Sequence, residues 1–68
     1  MLDYKALIGN NIAQMRHENK LTQSELAVML HVSNKAVSKW ETGHGLPDIT
    51  LLPKIAKIFN VSIDQIFN

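Results

Sequence analysis

The sequence predicts a small all-α domain of five short helices, and three observations lead there. Glycine and proline are scarce, three and two among 68 residues, whereas Leu, Ile, Ala and Lys abound. Apolar residues recur at intervals of three and four, the period of a helix face, instead of alternating as in a strand. Side chains able to cap a helix start, Thr22, Ser33 and Ser62, stand directly before such stretches. The length suits one domain, residues 1–68, and a domain of that size buries only about 60% of its unfolded surface. With no cysteine, neither disulfides nor thiolate-bound metal can staple it. Tight helix packing or dimerisation has to supply the stability.

The first helix is expected from Tyr4 to Asn19. Leu7, Ile8, Ile12 and Met15 recur at helical spacing there, with Asn10, Asn11, Gln14 and Arg16 between them. It should end near Asn19-Lys20, Asn19 adopting the left-handed conformation and Lys20 sitting at the negative end of the helix dipole. Thr22-Gln23-Ser24-Glu25 is a capping box, in which the Thr hydroxyl and the Glu carboxylate each satisfy a free backbone N–H. The second helix therefore opens at Thr22 and runs to about Leu30. His31-Val32 leaves room only for a turn, Ser33 caps a third helix from Asn34 to Thr42, and Gly43 stops it. The stretch from Gly43 to Asp48 reads as a loop. Pro53 is tolerated only in a first turn and so locates the fourth helix, with Thr50 as its expected N-cap and Ile55, Ala56 and Phe59 within it. Asn60 closes that helix, and Ser62 caps a last helical turn carrying Ile63, Ile66 and Phe67.

The net charge of +1 does not by itself announce a nucleic-acid partner, so the distribution of charge has to carry that argument. On a helical wheel Asn34, Lys35, Ser38 and Lys39 of the third helix fall within one arc of about 140°. Val37 and Trp40 lie roughly opposite. One side suits a core and the other carries only hydrogen-bonding groups: Asn pairs bidentately with adenine, Lys with guanine or a phosphate, Ser with either. A merely solvated helix face has the same composition, and the face alone does not decide between them. The connection adds to the case. Two helices joined by so few residues cross steeply and need small side chains where they touch, which Ala27 provides. Trp40, opposite the polar arc, reads as core and not as a base-stacking group.

The run from Thr22 to Gly43, with Leu26, Ala27, Val32, Ser33 and the Trp40-Glu41-Thr42-Gly43 ending, resembles the lambda-repressor-like, Cro-type (XRE) helix-turn-helix domains. The resemblance extends through Pro47-Asp48-Ile49 and from Lys54 to Asp64, and so covers nearly the whole chain from Ile8. It implies a compact bundle whose third helix enters the major groove of double-stranded DNA, with Gln23 at the start of the second helix touching a phosphate. It also implies that the stretch from Thr42 to Leu46, Thr42 and His44 included, meets the sugar-phosphate backbone, with turn geometry as the equal alternative. Ser33 is expected to cap first and to contact a phosphate only in addition. Arg16 and Glu41 match positions that form a partly buried ion pair in relatives. His31 stands where many members have glycine, a position where His is tolerated better than most residues. The DNA-binding candidates are thus Gln23, Ser33, Asn34, Lys35, Ser38, Lys39, Thr42 and His44.

A single module of this kind makes an interface of about 600–1,000 Å², so a homodimer on a palindromic operator is expected. Ile63, Ile66 and Phe67 are candidates for the dimer contact or for completing the core. The rival reading is a protein-interaction or adaptor module, including an antitoxin role, which would favour acidic or apolar residues where Lys35 and Lys39 stand. An enzyme is not expected, because the chain carries no paired carboxylates, nucleophilic triad or phosphate loop and is too short to enclose a pocket for a small-molecule substrate. His17, His31 and His44 lack metal-ligand spacing, so neither a metal nor another cofactor is expected. No apolar run approaches the roughly 18 residues of a membrane span, and the start lacks the layout of a signal peptide. A cytoplasmic, nucleoid-associated regulator of bacterial or phage type, most simply a repressor, is the expectation.

Overall fold

The computed structural model describes residues 3–68. Five α-helices follow one another: α1 Tyr4–Glu18, α2 Gln23–Leu30, α3 Asn34–Glu41, α4 Leu52–Phe59 and α5 Ile63–Phe67, with one 3-10 turn, Ile49–Leu51, before α4. No strand occurs among the described residues. Three N-caps, Thr22, Ser33 and Ser62, are as the side chains foretell. Thr22 Oγ1 accepts from Glu25 N at 3.0 Å while the Glu25 carboxylate accepts from Thr22 N at 2.8 Å, closing the capping box. Ser33 and Ser62 cap α3 and α5, the latter in a second capping box with Gln65.

The C-termini follow one pattern. After each of α1 to α4 a residue takes the left-handed conformation: Lys20 (φ 58°), His31 (φ 57°), Gly43 (φ 78°) and Asn60 (φ 57°). The residue beyond it then donates its N–H back to a carbonyl five residues earlier: Leu21 to Arg16, Val32 to Ala27, His44 to Lys39 and Val61 to Ala56. These are Schellman motifs, and each closes the C-terminal end of its helix. Asn19 is a correction. It stays near φ −92° as the C-cap, its amide bonding the Met15 carbonyl at 2.7 Å, and the left-handed position falls on Lys20. His31 does adopt the left-handed conformation that its place in the turn demands. Since that conformation costs a residue with a Cβ about 1–2 kcal/mol, His31→Gly should raise Tm by a few degrees. A thermal melt followed by circular dichroism checks this, and an unchanged or lower Tm refutes it.

A second correction concerns Thr50. It does not cap α4. It sits in the 3-10 turn, where Asp48 accepts from both its N–H and its hydroxyl at 2.9 Å, and α4 starts without a side-chain cap but with proline in its first turn. The 3-10 turn takes over the role of the cap, because it delivers the chain to α4 already in helical geometry.

The core is continuous, formed by Ile8, Ile12 and Met15 of α1, Leu26, Ala27 and Leu30 of α2, Val37 and Trp40 of α3, Ile55, Ala56 and Phe59 of α4, and Ile66 of α5. Helix α3 packs against both α1 and α2, and α1 also receives α5, where Asn11 Nδ2 donates to the Ile66 carbonyl at 2.9 Å. The approach of α1 to α3 is close enough to require Gly9: a Cβ there would overlap the Trp40 carbonyl oxygen and lie 3.0 Å from its carbon. Ile66 completes the core at 0% exposure, whereas Ile63 and Phe67 remain 40% and 36% exposed.

Candidate nucleic-acid interface

Helix α3 is held by its apolar side. Val37 and Trp40 are buried in the core, which fixes the rotation of the helix and turns Asn34, Lys35 and Lys39 outward as exposed side chains, with Ser38 half-buried between them. Neither lysine takes part in an ion pair among the described residues. The Ser33 hydroxyl is engaged at the N-terminus of α3, accepting from Ala36 N at 3.0 Å. The four sequence-derived positions of α3 thus share one face, and the cap stands at its leading end.

The start of α2 is tied to α3 by an ion-pair network. Arg16 reaches Glu41 with two parallel hydrogen bonds, Nε to Oε2 at 2.7 Å and Nη2 to Oε1 at 2.9 Å, and its Nη1 donates to the Leu21 carbonyl at 2.8 Å. The two side chains are only 10% and 7% exposed. Gln23 joins them, its Nε2 donating to Glu41 Oε1 at 3.0 Å. One carboxylate therefore gathers α1, the first residue of α2 and the last residue of α3. Burial pushes the Glu41 carboxyl up, but the hydrogen bonds from Arg16 and Gln23, with the charges of Arg16 and His17 nearby, outweigh it and hold the group below the usual carboxylate range. The same bond to Glu41, opposed by burial, moves the Arg16 guanidinium above its ordinary value. Gln23 is thus half-buried and held, not a free solvated side chain, and one N–H of its amide remains unspent.

At the other end of α3 the Thr42 hydroxyl donates to the carbonyls of Ser38 and Lys39 at 3.0 and 3.3 Å, and the ring Nδ1 of His44 lies 2.9 Å from Thr42 Oγ1. Gly43 packs beside Ala6 in the first turn of α1. The surface from Gln23 across the face of α3 to His44 therefore combines the start of one helix, the outward face of a second and a tight turn. Among the described residues, no three His, Cys, Asp or Glu side chains come together in a cluster that would hold a metal ion.

Sequence reasoning missed three links here: Gln23 to Glu41, His44 to Thr42, and the role of Gly9. The first pair is separated by 18 residues and leaves no local trace. Gly9 did leave one, since a glycine inside an amphipathic helix weakens it by about 1 kcal/mol and calls for a packing reason.

These features form one unit: a two-helix corner turned by a left-handed residue, a second helix buried on one side and polar on the other, and further helices closing the core behind it. A family profile described as helix-turn-helix matches residues 12–66, from the second half of α1 into α5. The chain belongs to the Cro/C1-type helix-turn-helix family. Among curated relatives it is 44% identical over 60 residues to the HTH-type transcriptional activator BcrR of Enterococcus faecalis, covering 88% of this chain and 29% of that one. It is 34% identical over 59 residues to the cryptic phage CTXphi transcriptional repressor RstR of Vibrio cholerae, covering 87% of this chain and 53% of that one. The chain thus spans well under two thirds of either relative. The same fold occurs in the SOS-response transcriptional repressor LexA of Eubacterium rectale, with a TM-score of 0.87 at 23% identity over 96% of this chain and 69% of that one. It also forms 36% of hydroxypropylphosphonic acid epoxidase from S. wedmorenis, with a TM-score of 0.87 at 23% identity over 100% of this chain. At that identity the likeness is one of fold alone. This helix-turn-helix chain also contains no helix, among the described residues, long and apolar enough to cross a membrane.

Proposed function

We propose that residues 1–68 act as a single DNA-binding domain that places α3 in the major groove of a double-stranded operator and represses transcription from it as a homodimer. The observation that carries this is the pairing of a core-facing Val37 and Trp40 with an outward Asn34, Lys35, Ser38 and Lys39 on one helix, whose lysines carry no acidic partner among the described residues. Asn34, Lys35 and Ser38 read base edges from the leading part of the helix, as recognition helices do. Lys39, Thr42 and His44, at the trailing end beside the Gly43 turn, meet the sugar-phosphate backbone, as do Gln23 and Ser33 at the two helix starts. Occupying the operator is enough for repression, whereas activation needs a further contact, so repression is the simpler activity of these residues. The domain works in the cytoplasm, without catalysis, cofactor, metal or small-molecule substrate.

Dimerisation follows from size. One module offers roughly 600–1,000 Å² of DNA contact, too little for tight specific binding at physiological salt. Ile63 and Phe67, left partly exposed on α5 while Ile66 is spent on the core, supply an apolar contact for a second copy. Two such domains read half-sites one helical turn, about 34 Å, apart.

Selection from random duplexes tests the reading: enrichment of a palindrome supports it, and weak, unselective, salt-insensitive binding refutes it. Within the enriched site, Asn34→Ala should cost about 1–3 kcal/mol and relax preference at one position of each half-site. Lys39→Ala should instead weaken all sequences alike and reduce the salt slope by about one per protomer. The same variants on a titration against salt separate the two roles.

A further inference from the structure

The fourth-helix, first-helix and second-helix endings share a feature that the ending of α3 lacks. At the position after the left-handed residue, a Schellman motif ordinarily carries an apolar side chain that packs back on the helix. Leu21, Val32 and Val61 do so, each partly buried against the core. At the end of α3 the equivalent residue is His44, exposed, with its N–H pinned to the Lys39 carbonyl at 2.9 Å. Its ring turns to Thr42 instead of to the core. Packing therefore does not explain the histidine.

The hydrogen bonds around Thr42 determine which ring nitrogen carries a proton. Two carbonyl oxygens, of Ser38 and Lys39, face the Thr42 oxygen at 3.0 and 3.3 Å. Turned away from them, the hydroxyl would set its own partial negative charge against two carbonyl oxygens near van der Waals contact, so its single proton is directed at the carbonyls, the nearer Ser38 oxygen first. Thr42 Oγ1 can then only accept from His44, which makes Nδ1 the N–H donor at 2.9 Å and leaves Nε2 without a proton in the neutral ring. A neutral ring so held offers a lone pair outward and repels a phosphate oxygen. Protonation converts Nε2 into a charged donor without disturbing the bond to Thr42.

We infer that Thr42 is a positioning residue that holds His44 as the Nδ1–H tautomer, so that His44 becomes a DNA-phosphate ligand only when protonated. The inference rests on the DNA-binding reading above. Affinity for any duplex therefore rises as the ring gains its second proton on acidification. The charged and titratable groups around His44 are Lys35, Lys39 and Glu41 of α3, Asp3, Tyr4 and Lys5 at the start of α1 beside Gly43, and Asp48 in the loop. The carboxyl of Glu41 is spent on Arg16 and Gln23. The carboxyl of Asp48 is spent on Thr50 and that of Asp3 on the N–H groups of Lys5 and Ala6, so both remain local. The Asp48 carboxyl, held below its ordinary value by those bonds to Thr50, stays charged as pH falls from 8 to 5.5.

Two measurements test it. Nitrogen-15 NMR of the imidazole rings in the free protein at pH 8 should show His44 as the Nδ1–H tautomer, retained in Thr42→Ser and lost in Thr42→Val; an Nε2–H ring in the unaltered protein overturns the latch. Binding to a 30-base-pair duplex of random sequence, chosen so that no operator need be known, should tighten about tenfold from pH 8 to pH 5.5. The salt slope should steepen by about one per protomer over the same range. His44→Gln should abolish both changes while still binding, and Thr42→Ser should keep them. Binding that is independent of pH, or a pH dependence that persists in His44→Gln and so belongs to His17 or His31, overturns the inference. Absence of binding at every pH and salt concentration overturns the DNA-binding reading itself, while the tautomer still reports on the latch.

Discussion

Gly9→Ala should lower Tm by roughly 12 °C or more, a loss of about 3 kcal/mol, in a domain whose whole stability margin is narrow. The sign is opposite to that of the same change in an ordinary helix interior, where alanine is favoured by about 1 kcal/mol. Gly9 lies at the crossing of α1 over α3, and the atoms its Cβ would meet belong to the backbone at Trp40 and Glu41. A flexible side chain could swing aside, but a carbonyl at the end of a capped helix cannot. The helices must separate, and Ile8, Ile12, Val37 and Trp40 lose their packing together. Gly45→Ala is the control. The nearest atom to a Cβ there is that of Lys39 at 3.9 Å, an ordinary contact, so its Tm should change little. Equal melting of Gly9→Ala and the unaltered protein would show that the crossing can widen at no cost.

Glu41→Ala should cost about 3–5 kcal/mol, because it leaves the Arg16 guanidinium buried without its counter-charge. The loss extends beyond one pair, since the same carboxylate holds Gln23 at the start of α2. The pH dependence has a definite sign. The folded Glu41 carboxyl is held below its unfolded value, so the folded state binds fewer protons than the unfolded chain near and below pH 4.3, the ordinary value of a glutamate. Its contribution is therefore present above the unfolded value and disappears as pH falls through the lower folded one. Glu25, held down by its hydrogen bonds to Thr22, and Asp48, held down by Thr50, act in the same direction from exposed positions. Glu41→Gln should thus flatten, without removing, the acid limb of a plot of stability against pH. Urea melts between pH 3 and 7 measure it, and an unchanged acid limb would show that the carboxylate is not the ionised partner of Arg16. Because the network also positions Gln23, such variants unite a stability effect with an interface effect, and the two are separated by measuring DNA binding well below Tm.

Much of the fold could be read from local chemistry. The Thr22–Glu25 capping box and the Ser33 and Ser62 caps are governed by side chains three residues from the N–H groups they satisfy, and each appears where the spacing places it. The burial of Val37 and Trp40 opposite Asn34, Lys35 and Lys39 follows from the period of the helix. Where local reasoning erred, two nearby solutions competed. Asn19 and Lys20 both lay near the end of α1, and the helix stopped where the Schellman bonds to Arg16 and His17 could close. Thr50 and Asp48 were both able to cap, and Asp48 captured Thr50.

The candidate interface divides in the same way. By itself the amino-acid sequence determined the helices, the corner between α2 and α3 and the polar face of α3, because each depends on contacts within about one or two helical turns. The tertiary structure decided what holds that face in place: the Arg16, Glu41 and Gln23 network, the crossing at Gly9, the assignment of Ile66 to the core with Ile63 and Phe67 left partly exposed, and the turn of His44 away from the core. Most of these join residues distant in sequence, and they form only once the packed helices exclude water and fix the distances between them. The His44 turn is local, but its direction was settled by the Thr42 bond at the end of α3.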